Sequence, residues 1–129
     1  MSKKVISIVL CLALVVALAV PAFAATTLYS RTNAGYRITG TATVSSSRAT
    51  STMTASEVSG SAVKPIEEYS DSVVFITAYD KAGNKIGTAS NYGYPTLTTV
   101  LTGTTTSIYR AEFTHTFNNT TYGYYTLYA

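Results

Sequence analysis

The sequence predicts an all-β fold, a small antiparallel β-sandwich preceded by a cleaved signal peptide. Three observations carry that prediction. Residues 73–79, Val-Val-Phe-Ile-Thr-Ala-Tyr, are almost all β-branched or aromatic, the composition a half-buried pleated surface selects. Two further runs, starting at Tyr36 and Tyr109, alternate apolar with polar residues at the period of a strand. Turn-forming residues separate these runs at hairpin spacing, and no helical period occurs after the leader.

The leader occupies residues 1–24. Lys3 and Lys4 precede an apolar run from Val5 to Val20, and Ala22-Phe23-Ala24 forms a small-residue cleavage site, so the chain after cleavage starts at Ala25. The uncharged run is short for a membrane span. Cys11 lies within it and leaves with it, so the remaining 105 residues (129 − 24) contain no thiol. No lipid-attachment or cell-wall sorting motif is visible, and free secretion with no stable membrane anchor is the expectation.

Cleavage also removes Lys3 and Lys4, leaving 7 basic residues (9 − 2) against 6 acidic ones. Such a balance argues against nucleic acid as a partner. Leu, Ile, Val and Phe supply only 18 of those 105 residues, but 11 tyrosines can provide the missing buried area. Residues 25–34 show no clear period and fit a loose lead-in or an edge strand. Residues 35–129 fit one β-sandwich domain.

In order along that domain, Tyr36, Ile38, Gly40, Ala42 and Val44 alternate with Arg37, Thr39, Thr41 and Thr43. A turn over Ser45–Arg48 leads to Ala49, Ser51, Met53 and Ala55, alternating with Thr50, Thr52 and Thr54. A loop of two or four residues pairs Val44 with Ala49, and the same register sets Thr43, Thr41 and Thr39 opposite Thr50, Thr52 and Thr54. Both faces sort at once, which a one-residue slip would destroy.

Residues 59–71 lose the period and form a crossover loop. In the central hairpin Asp80-Lys81-Ala82-Gly83 makes a type I turn with Gly83 left-handed. That places Val74, Ile76, Ala78 and Ile86 on the core face, with Ala78 facing Ile86 and Ile76 facing Thr88. Asn91 to Pro95 is a loop, and 96–102 fits a short strand.

The last hairpin turns at Asn118-Asn119, residues that tolerate the positive φ of a type I′ turn. This register faces His115 with Tyr122, Phe113 with Tyr124 and Tyr109 with Tyr128, and it buries tyrosines. A three-residue loop would instead bury Tyr125 and Leu127. Six clear strands with this spacing outline an immunoglobulin-like sandwich, with a small barrel as the alternative.

Chemistry is sparse. No phosphate loop and no cysteine or histidine cluster is present, so neither cofactor nor metal is expected. His115 is the sole histidine, mid-strand on an apolar face, and fits a structural role better than a catalytic one. Glu67, Glu68 and Asp71 lack the regular ligand spacing of a calcium loop. Asn118 and Asn119 fit glycosylation sequons but are explained as turn residues.

Tyr92 and Tyr94, in a turn-rich segment with Gly93 and Pro95, are candidate binding aromatics, although such residues more often cover the open end of a sandwich. Thr39, Thr41, Thr43, Thr50, Thr52 and Thr54 form a second candidate, a flat hydroxyl and methyl array. Sheet propensity alone also accounts for them.

The tail Thr-Tyr-Gly-Tyr-Tyr-Thr-Leu-Tyr-Ala resembles the lactococcin-type bacteriocins, small secreted β-sandwich peptides. The resemblance covers the last hairpin and carries over no residues. It implies action on competing bacteria. The reading favoured by the residues is a secreted, extracellular, non-enzymatic binding protein whose partner is a glycan, cell wall or surface protein.

Overall fold

A computed structural model describes residues 25–103 and 105–129; the expected signal peptide at 1–24 lies outside the described residues. Eight strands follow one another: β1 (Thr26–Asn33), β2 (Tyr36–Val44), β3 (Arg48–Glu57), β4 (Ser72–Tyr79), β5 (Lys85–Gly93), β6 (Leu97–Thr102), β7 (Arg110–Phe117) and β8 (Thr120–Tyr128). A single 3₁₀ turn, Ile66–Glu68, interrupts the crossover between β3 and β4. The strands form two antiparallel four-stranded sheets, ordered β1-β2-β3-β6 and β5-β4-β7-β8.

The first hairpin has the register its alternation predicts, from Val44 opposite Ala49 to Ile38 opposite Ala55. Its inward residues are buried and its threonines turn outward, because pairing in any other register would put threonine into the core. Of the two expectations for residues 25–34 the edge strand holds, over Thr26–Asn33. Their alternation is hidden by a bulge between Thr27 and Tyr29, which leaves Leu28 half-buried and Tyr29 buried. β6 was the other faint strand. It turns Thr99 inward and Val100 outward, against the usual sorting.

Two registers need correction. The Asp80 turn forms as expected: Gly83 N–H donates to the Asp80 carbonyl at 3.1 Å, and Asn84 N–H donates to Asp80 Oδ1 at 2.8 Å. A bulge then follows, so Ala78 faces Gly87 rather than Ile86, and Ile76 faces Ala89 rather than Thr88. Glycine eases the fit there, because a Cβ at Gly87 would lie 3.1 Å from Leu101 Cδ1 and press that side chain aside. Ile86 is consequently only half-buried beside Leu101, whereas Ile76 is fully buried.

The last hairpin repeats the pattern. Asn118 and Asn119 take φ of 49° and 58°, and His115 faces Tyr122 as expected. A bulge then pairs Phe113 with Tyr125 in place of Tyr124, and Tyr128 with Arg110 in place of Tyr109. Gly123 lets β8 close at that point, since a Cβ there would meet the Phe113 carbonyl at 3.0 Å. The two proposed registers are thus spliced: an Asn-Asn turn, but Tyr125 and Leu127 facing inward, with Tyr124 and Tyr128 exposed.

The sheets face each other over two apolar clusters. Ile38, Met53, Val74 and Phe117 belong to one, with Tyr36 and Tyr69. Ala42, Ala49, Ile76 and Phe113 belong to the other. Tyr69, from the crossover loop, is 3 % exposed and packs edge-on to Tyr36 and against Phe117. It covers the end of the core, the role expected of Tyr92 and Tyr94.

Candidate functional site

Between the two apolar clusters runs a polar waist. Gly40 sits between Ile38 and Ala42, Ser51 between Ala49 and Met53, and His115 between Phe113 and Phe117, so strand periodicity brings all three inward. His115 is fully buried and engaged at both ring nitrogens, by Tyr29 Oη at 2.7 Å on Nδ1 and by Ser51 Oγ at 2.5 Å on Nε2. A neutral imidazole satisfies both partners with one N–H and one lone pair, whichever tautomer holds. Burial pushes the His115 pKa down to about 4. Burial, and then the neighbouring Tyr122 and Tyr125, push the Tyr29 phenol well above its ordinary range.

Tyr29 reaches His115 because position 40 has no side chain. A Cβ on Gly40 would lie 2.2 Å from Tyr29 Cε1 and 2.9 Å from His115 Nδ1. The Tyr29 ring also lies nearly parallel to Tyr122 and Tyr125, with centroids 4.8 and 5.7 Å away. Gly40→Ala should therefore displace Tyr29 and cost about 1–3 kcal/mol through overpacking. Urea melts check the loss, and near-ultraviolet dichroism should report the disturbed tyrosine stack.

The order serine–histidine–tyrosine has the outline of a nucleophile, a base and an orienting group. Ser51 and His115 nevertheless expose no surface, so a substrate carbonyl cannot come within reach of the serine. The cluster ties the two sheets together instead. Sequence reasoning placed His115 inward but missed Tyr29 and Ser51, since β1 was hidden by its bulge and a lone inward serine in a threonine-rich strand signals little.

The outward faces hold the candidate binding residues. Thr39, Thr41, Thr43, Thr50, Thr52 and Thr54 do lie together on the outer face of the first sheet, in the expected cross-strand pairs. The neighbouring strands widen the array: Thr27, Thr41, Thr52 and Thr98 stand in one row across all four strands, with Ser30, Thr39 and Thr54 in the next. Thr52 Oγ1 and Thr98 Oγ1 are 3.2 Å apart, and Ser30 Oγ and Thr39 Oγ1 are 3.3 Å apart.

Tyr92 and Tyr94 are not on that face. Tyr92 is 75 % exposed on β5 in the second sheet, and Tyr94 is 53 % exposed in the turn after it. Opposite Tyr92 stands Val73, and Phe75, an exposed aromatic, follows two residues along. Glu67, Glu68 and Asp71 lie exposed about the 3₁₀ turn. Among the described residues no three acidic, histidine or cysteine side chains gather to hold a metal, and no helix is long and apolar enough to cross a membrane.

Neither a protein-family model, nor a curated protein, nor a solved structure matches the chain.

Proposed function

We propose that this is a secreted, non-enzymatic protein that adheres to a polymeric surface outside the cell, such as a glycan or cell wall. The observation that carries the reading is the row Thr27, Thr41, Thr52, Thr98. A β-sheet fixes its spacing, roughly 4.7 Å between strands and 6.6–7 Å along each strand, so the hydroxyls and methyls repeat on a lattice. A regular surface can be met at many points by such a lattice without ordering any new backbone. Arg37 and Arg48, at the two ends of the threonine rows on β2 and β3, add positive charge at the margin.

The leader-like segment supports secretion. The engagement of the sole histidine in a buried tie between sheets supports a role without catalysis. The strand order supports an immunoglobulin-like sandwich, because β3 neighbours β6 in one sheet, β4 neighbours β7 in the other, and the chain crosses between sheets at β3–β4, β5–β6 and β6–β7.

The test is the double variant Thr41→Lys/Thr52→Lys. Both positions face solvent and pair with each other, so the fold should survive with a stability change of about 1 kcal/mol. Sedimentation with insoluble polysaccharide and with purified bacterial cell wall should show the unmodified protein removed from solution and the variant removed several-fold less completely. Failure of the unmodified protein to sediment with either material would end this reading.

A further inference from the structure

The second sheet carries a different surface. On its outward face Tyr92 stands beside Val73, and Phe75, two residues along β4, is the diagonal neighbour of Tyr92, the two aromatic positions roughly 7–8 Å apart. Tyr92 is 75 % exposed and Phe75 38 %. Ser90 faces Phe75 on one side, and Thr114 and Thr116 flank Phe75 and Val73 on the other. The strip thus has Ser90 on one side and Thr114 and Thr116 on the other, with Thr116 Oγ1 3.4 Å from Thr121 Oγ1.

Apart from Asp71, which is exposed just before β4, the charged groups of this face are remote or already engaged. Glu112 accepts from Arg110 at 2.8 Å and from the Tyr79 hydroxyl at 3.3 Å, while the Arg110 guanidinium lies 3.9 Å from the centre of the Tyr79 ring. Lys85 is at the far end of β5, opposite Tyr79 rather than in the strip. Asp71, exposed two residues before Val73, disfavours an anionic ligand there, and the strip residues Tyr92, Val73 and Phe75 themselves carry no charge.

We propose that the Tyr92–Val73–Phe75 strip binds a neutral polysaccharide chain. A pyranose ring offers an apolar face of C–H bonds to an aromatic ring and a rim of hydroxyls to serine and threonine, which matches the strip in both chemistry and charge. The proposal rests on the reading of the protein as a surface binder, but it assigns chain recognition to the opposite sheet from the threonine lattice.

Affinity electrophoresis of the purified protein through gels cast with hydroxyethylcellulose or glycol chitin tests this. The unmodified protein should be retarded, and the retardation should persist in 1 M salt, which screens charges beyond about 3 Å. Tyr92→Ala should weaken binding by about tenfold, the scale of one aromatic stacking contact, while Tyr92→Phe retains it. Tyr92 is so exposed that its truncation leaves the core untouched, and unchanged urea melts would verify this.

The Thr41→Lys/Thr52→Lys variant should be retarded like the unmodified protein. Equal retardation of Tyr92→Ala, or no retardation in either gel, overturns the inference. If adhesion to insoluble material still depends on Thr41 and Thr52, the surface-binding reading survives that failure. Retention only by cell surfaces, abolished by prior protease treatment, would assign the strip to a protein partner and also overturn the proposal.

Discussion

Acidification from pH 6.5 to pH 4 should remove about 3 kcal/mol of stability through His115 alone. The folded protein holds this imidazole neutral down to about pH 4, whereas the unfolded chain protonates it near its ordinary value of 6.5. Below pH 6.5 the unfolded state therefore binds the extra proton and gains on the native one. The contribution is complete above pH 6.5 and is lost as the pH falls through the window to about 4, at about 1.4 kcal/mol per unit.

The groups facing the ring are Tyr29 from β1, Ser51 from β3, Val74 from β4 and Tyr122 from β8, and none supplies a negative charge. An imidazolium would donate to both oxygens, so neither hydroxyl could any longer give its own proton to the ring. Urea melts at intervals between pH 7.5 and 4 measure the effect, with the imidazole resonances titrated alongside. Hydrogen bonds from the Asn84 backbone and side chain hold the Asp80 carboxyl below its usual range, so its contribution is lost at lower pH than the main histidine window. A stability profile flat between pH 7 and 4.5 would contradict this account of the waist.

Ile76→Ala should cost about 2–5 kcal/mol, a large part of the stability of a domain this size. Ile76 lies on β4, at the centre of its sheet, between Ala89 and Phe113 in register and with no exposed surface. Four alanines of its cluster, Ala42, Ala49, Ala78 and Ala111, have no side chain long enough to extend into the space. Ile86→Ala should cost less, because the bulge leaves it half-buried. Denaturant midpoints for the two variants settle the order, and an Ile86 loss equal to that at Ile76 would contradict the bulged register.

These two isoleucines also show what the sequence could and could not disclose. Alternation was enough to place Val74, Ile76 and Ala78 inside, and to set the whole register of β2 on β3, because both faces of those strands carry the pattern. It failed at three bulges. At Leu28, Ile86 and Tyr124 one inserted residue changes which side chains face inward, and nothing local marks the insertion until the opposing strand is known. Gly87 and Gly123 were legible as glycines, but their reasons, Leu101 and the Phe113 carbonyl, come from elsewhere in the fold.

The candidate surfaces divide similarly. The six threonines were visible because they share one hairpin, while Thr27 and Thr98 joined them only once β1 and β6 were in place. Tyr92 stood out as a candidate binding aromatic, but its grouping with Val73 and Phe75 depends on the pairing of β5 with β4. His115 could be placed facing inward; the oxygens that hold it come from strands 86 and 64 residues away in sequence.

The side-chain clasps at the sheet margins have a consequence for how this protein survives in company. Asn33 Nδ2 on β1 donates to Thr120 Oγ1 and to the Tyr122 hydroxyl on β8, and Asn118 Nδ2 returns a hydrogen bond to Asn33 Oδ1. On the opposite margin Asn91 Nδ2 of β5 donates to the Thr98 carbonyl of β6. Each terminal strand of one sheet is thereby held against a terminal strand of the other. Threonine- and tyrosine-rich strands with little net charge are the kind that recruit further strands and grow into fibrils when their edges are bare. Fastening edge to edge within one molecule sets a strand of the other sheet beside each margin, the kind of covering that blunts an edge as a template for neighbouring copies.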